Sequence, residues 1–158
     1  MITVKSYLGA DSNLVPAEEF TGPIADEDYI EGAVELTIDD IAMLTRAQVD
    51  YVDQLWAYLV NGLDEVVAGR TFTTCFPDMP IEIALRPEGA HVTMSVTSKR
   101  SSATATTSLA DLLAAMIPAA RTFFARIGPL APSNAPSYEY VLETLNKIEQ
   151  KSQTRPNR

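Results

Sequence analysis

A chain of 158 residues with 46% hydrophobic and 21% charged residues is long enough to close one core and too apolar to stay unfolded. Its net charge of −9 is unevenly spread: residues 1–70 carry 14 acidic and 3 basic side chains, residues 71–158 carry 7 and 9. An excess of this sign repels nucleic acid and anionic membranes, a lone Cys75 forbids an internal disulfide, and no stretch reads as an export signal or a membrane span, so the expected home is a reducing cytoplasm.

Ile2 to Tyr7 alternates apolar and polar residues, which predicts a first strand with Ile2, Val4 and Ser6 on one face. Gly9 to Pro23 reads as loop. Tyr29 to Ile38 is a second strand with Ile30, Ala33 or Val34, Leu36 and Ile38 inward, Gly32 marking a bulge, and Asp39-Asp40 making the turn into a brief strand at Ile41 to Leu44. Thr45 with Gln48 has the capping-box pattern, and apolar residues from Val49 to Val67 recur at three- and four-residue steps, so a helix of roughly 36 Å is expected from Thr45 to Ala68, ended by Gly69 and weakened at Gly62.

Thr71 to Phe76 and Ile81 to Arg86 predict strands divided by Pro77-Asp78-Met79-Pro80. Pro87-Glu88-Gly89 predicts a turn, and His91 to Ser98 and Ser101 to Thr107 complete an antiparallel meander. Ser108 caps a second helix whose stripe runs from Leu109 to Ile127, with Pro118 expected to kink it and Gly128-Pro129 to stop it. Ser137 to Gln150 is a third helix. Residues 1–150 therefore form a single α+β domain, a mostly antiparallel sheet covered on one face by the long central helix and two C-terminal helices, and Lys151 to Arg158 is a polar, basic, frayed tail.

Few residues offer reaction chemistry. His91 is the only histidine and has no nucleophile elbow or catalytic-cysteine signature to work with, while Cys75 reads as a small buried hydrophobe at a strand end. One Cys and one His exclude ordinary structural zinc, and Asp26 to Glu31 lacks the ligand spacing of a calcium loop. The seven glycines form neither a dinucleotide fingerprint nor a phosphate loop, so no cofactor is expected and the chain reads as non-enzymatic.

The distinctive feature is the stretch from Glu18 to Asp40. It holds nine carboxylates (Glu18, Glu19, Asp26, Glu27, Asp28, Glu31, Glu35, Asp39 and Asp40) and no Lys or Arg, with Phe20 and Tyr29 as aromatic anchors among them. Asp50 and Asp53 extend the negative field onto the first helix. Such self-repulsion is explained when a cationic surface neutralises it.

The segment Tyr51 to Pro80 and the helix Ser108 to Phe124 resemble small acidic immunity proteins of bacterial polymorphic or contact-delivered toxin systems. The resemblance implies a cytoplasmic inhibitor that binds one cognate toxin with a basic active-site surface and blocks its active site or substrate groove. It carries no inhibitory residue over to this chain. A different expectation, a small-molecule carrier or chaperone-like module, places an apolar pocket between sheet and helix, lined by Trp56, Met94 and Phe123.

Overall fold

A computed structural model describes residues 1–10 and 12–154. The chain is an α+β domain in which three helices pack against two antiparallel sheets. The first sheet contains β1 (Ile2–Leu8), β2 (Val15–Pro16), β3 (Glu31–Ile38), β4 (Ile41–Leu44) and β5 (Asp50–Tyr51). Its order is β2-β1-β3-β4, and β5 also pairs with β3, beside β4. The second is the expected meander of β6 (Phe72–Cys75), β7 (Glu82–Glu88), β8 (His91–Thr97) and β9 (Ser102–Ser108), each paired to the next. Helices α1 (Val52–Val67), α2 (Leu109–Ile127) and α3 (Ala135–Thr154) complete the domain.

Alternation places the core. In the second sheet Leu85, Met94 and Ala105 share one register row with Phe72 and face inward, while Thr73, Ser95 and Thr104 share the next row and face out. Against the inward faces α1 buries Leu55, Trp56, Leu59, Leu63 and Val66, and α2 buries the whole stripe read from its sequence. The Ser108 hydroxyl accepts the Asp111 amide at 3.0 Å, so the α2 cap is formed as expected. An aromatic chain links the three helices. Trp56 lies 6.3 Å from Phe123, Phe123 5.2 Å edge-on to Phe124, and Phe124 5.2 Å from Tyr138 of α3.

Several expectations give way. α1 begins at Val52, not Thr45, which shortens it to 16 residues, about 24 Å. Gln48 does reach back to the Thr45 amide at 2.9 Å, but the bond closes a turn, and the chain then pairs Asp50 with Gly32 and Tyr51 with Glu31. Gly32 is not a bulge. It stands in register with both Leu8 and Asp50, and a Cβ there would overlap the Tyr7 carbonyl and lie 2.8 Å from Val52 Cγ1. The irregularity falls instead between Leu36 and Thr37, opposite β4. Gly62 is likewise a close approach and not a weak joint, because a Cβ would come within 2.8 Å of the Phe72 ring.

Pro87 lies within β7, opposite Val92, so the turn there moves on to Gly89-Ala90. Pro118 does not interrupt α2. Cys75 is exposed, since its position in β6 points it to the outer face of the sheet. The third helix runs on to Thr154, and Lys151 bonds Asp64 at 3.1 Å, so residues 151–154 of the expected frayed tail are helical; its last four residues lie outside the described set. Val15–Pro16, read as loop, pairs with Tyr7 and Leu8.

Candidate functional site

The nine carboxylates do not form one patch. Glu18 and Glu19 lie in a single 3-10 turn after β2, beside α2, where Arg126 holds the Ala17 and Phe20 carbonyls. Glu35, midway along β3, accepts the Tyr7 hydroxyl at 3.3 Å and faces Arg46 at 3.6 Å. Asp39 and Asp40 form the two-residue hairpin turn, both at positive φ (47° and 68°), and Asp39 takes the Met1 amino group. Seven residue steps of strand, roughly 23 Å, separate that turn from Glu31.

What remains gathers at the other end of β3. The loop Asp26 to Tyr29 is pinned from outside: Glu27 accepts Ser133 through both its amide (3.1 Å) and its hydroxyl (2.8 Å), and Asn134 Nδ2 donates to the Glu27 carbonyl at 2.6 Å. Asp26 accepts the Asp28 amide at 3.0 Å within the loop. These bonds leave Asp28 and Tyr29 projecting, and Tyr29, 58% exposed, packs its ring 5.2 Å from Tyr51. Phe20 is half-buried against the core and floors the same region.

Three adjoining clefts run past this loop. One of about 560 Å³ lies between α1 and α3 and includes Glu27, Asp28, Asp53, Tyr138 and Tyr140. The second, about 240 Å³, holds Phe20, Asp26, Tyr29 and Glu31. The third, about 310 Å³, shares Glu31 and adds Asp50, Tyr51 and Asp78. Seven carboxylates thus line the band and no described Lys or Arg does. None of the described ion pairs involves any of the seven.

Two of these acids are buried and serve the fold. Asp50 accepts the amides of Tyr51 (2.7 Å), Asp78 (3.0 Å) and Met79 (3.0 Å), and so locks the turn between β6 and β7 against β5. Asp53 accepts the Gln54 amide at 2.9 Å and the Tyr138 hydroxyl at 2.8 Å. Burial pushes the Asp53 carboxyl above the ordinary carboxylate range even though both bonds pull it down. Tyr138 is pushed up in turn by its burial and by its bond to Asp53. Tyr51 is also raised, first by desolvation, then by Asp78, Tyr29, Asp50 and Glu31.

The band offers fixed negative charge and exposed aromatic rings, both of which attract cations. Among the described residues no three His, Cys, Asp or Glu side chains converge to hold a metal ion. His91 and Cys75 stand on the second sheet and line none of the three clefts. Trp56, Met94 and Phe123 are buried in the core, the Trp56 indole donating to Ser6 at 2.9 Å, and Phe123 also lines a groove of about 890 Å³ between β1 and α2. Sequence reasoning missed Tyr51, Asp78, Tyr138 and Tyr140 as members of the site. Tyr140, on α3, is 63% exposed. No described helix is long and apolar enough to cross a membrane. Comparison with protein-family models, curated proteins and solved structures yields no match.

Proposed function

We propose that this chain is a non-enzymatic immunity protein, which binds a cognate bacterial toxin in the cytoplasm and occludes the toxin's basic active site or substrate groove. The supporting observation is the uninterrupted acidic band around Asp26–Glu31 on a loop already held in place by Ser133 and Asn134. A loop ordered before binding loses less freedom on association. Asp26, Asp28, Glu31 and Asp78 supply the field, Tyr29 and Tyr140 the anchors, and Glu27, Asp50 and Asp53 position them. Steering by charge sets how fast the two meet, and the buried rings set how long they stay together.

The test is co-expression with a toxin domain encoded beside the gene, read as cell survival and as a complex on size exclusion. Asp28→Lys with Glu31→Lys is expected to lose both, whereas Asp40→Lys at the distant hairpin keeps both. Equal protection by the two variants would overturn the reading.

A further inference from the structure

The largest of the three acidic clefts, about 560 Å³, is closed by four parts of the chain. α1 contributes Asp53 and Ala57, α2 Phe124, α3 Tyr140 and Val141, and the loop from Asp26 to Tyr29 contributes Asp28. Its volume is in the range of sites that hold ligands, roughly 300 to 1,000 Å³. Most of its wall is apolar, and a carboxylate is buried in it.

That carboxylate, Asp53, is 8% exposed, and both of its bonds come from neutral donors, the Gln54 amide and the Tyr138 hydroxyl. It carries a buried charge without a counter-ion, whereas buried charges are ordinarily paired. An ionised carboxylate offers about four acceptor sites, so about two stay open. Glu27 and Asp28 line the same cleft, and Glu27 is likewise bonded only to the neutral donors of Ser133. Against these three charges stand the first turns of α1 and α3, each worth about half a positive charge, which leaves an excess of about two negative charges. No described Lys, Arg or His lines the cleft. The missing partner is therefore a cation. A metal ion is a poor match, because no three described ligands converge. A guanidinium is planar and weakly hydrated and stacks on aromatic faces, so it suits a half-apolar site better than an ammonium does. Tyr140, exposed beside the cleft, supplies such a face, and Ala57 and Val141 supply apolar surface for the aliphatic stem.

We propose that the cleft between α1 and α3 receives an arginine side chain of the partner protein, its guanidinium bonded at the open acceptor sites of Asp53, with Asp28 adding charge and Tyr140 stacked over it. Asp28 belongs both to the cleft and to the projecting loop, so a protein seated on the band overlies the opening. The proposal rests on the reading of the acidic band as a protein-binding surface and names the side chain that surface selects.

The experiment pans the full chain against a displayed library of random ten-residue peptides and remakes the selected peptides with arginine replaced by lysine or by citrulline, which keeps the shape and loses the charge. The expected result is peptides that share an arginine, bound about tenfold or more weakly as the citrulline form and about threefold or more weakly as the lysine form. Asp53→Asn, which keeps an acceptor for Tyr138, should weaken binding about tenfold, and Asp40→Lys at the distant hairpin should leave it unchanged. Should Asp53→Asn fail to fold, Asp28→Asn on the exposed loop decides, with an expected loss of about threefold. No selected peptide, peptides without arginine, substituted peptides that bind as well, or undiminished binding by the folded Asp53 or Asp28 variant overturns the proposal. So does agmatine, a free alkylguanidine, if it binds as tightly as the peptides, since the ligand is then a small molecule. No toxin enters the panning, so its failure and a failure of protection in co-expression are separate results.

Discussion

Asp53 and Tyr138 show how a single buried pair ties the acidic loop to the core. Tyr138 donates to Asp53, receives Asn134 at 3.2 Å, and packs its ring at a tilt against Phe124, so one side chain closes the aromatic chain of the core and the polar network of the cleft. Tyr138→Phe leaves a buried carboxylate short of a donor and should lower unfolding free energy by about 1 to 3 kcal/mol, read by urea titration. The pH dependence has a definite sign. The Asp53 carboxyl is raised in the fold above its unfolded value, so its contribution is fully present below the ordinary carboxylate pKa and is lost as pH rises through the raised value. Asp53→Asn keeps an acceptor for Tyr138 and removes the titration. The part of the stability loss that accompanies rising pH in that window should vanish in the variant, and a curve that stays unchanged would show that Asp53 does not cause it.

At the scale of elements, the decisive junction is where β1, β3, β5 and the start of α1 meet around Gly32. Gly32→Ala forces a methyl onto the Tyr7 carbonyl and the Val52 side chain and should destabilise by about 1 to 3 kcal/mol. The hairpin turn behaves oppositely. Asp40 sits at φ 68°, where glycine is unstrained, so Asp40→Gly should raise the unfolding free energy, read by urea titration, by a few tenths to about 1 kcal/mol. The elements most legible in sequence were those whose signals are local. Ser108, the apolar stripe and Gly128 delimit α2 without help from the rest of the chain. The start of α1 was not legible, because Thr45 and Gln48 satisfy a turn with the same chemistry that caps a helix. What ends that turn is the pairing of Asp50 with Gly32, 18 residues away. The site was legible in part. Asp26 to Glu31 fell together because they are neighbours on one loop. Glu35, Asp39 and Asp40 were carried off along β3, whose rise is far longer than a contact, while Tyr51, Asp78 and Tyr140 arrived from other elements.

For the whole molecule, the separation of charge outweighs its total. Seven carboxylates share one band without a described cation among them. Repulsion within the band should make the free protein more stable as sodium chloride is raised from low to moderate concentration, because salt screens exposed like charges. Replacing Asp28, Glu31 and Asp78 by their amides should flatten that dependence in thermal melts. A salt response that is the same in the triple variant would place the repulsion elsewhere. The most direct measurement is the rate at which the protein associates with the toxin domain proposed as its partner as ionic strength increases. Capture by the acidic band predicts a steep fall in that rate for the wild type and a shallow one for the triple variant, with dissociation nearly unaffected. An association rate independent of salt, or an equal fall in both proteins, would contradict the account.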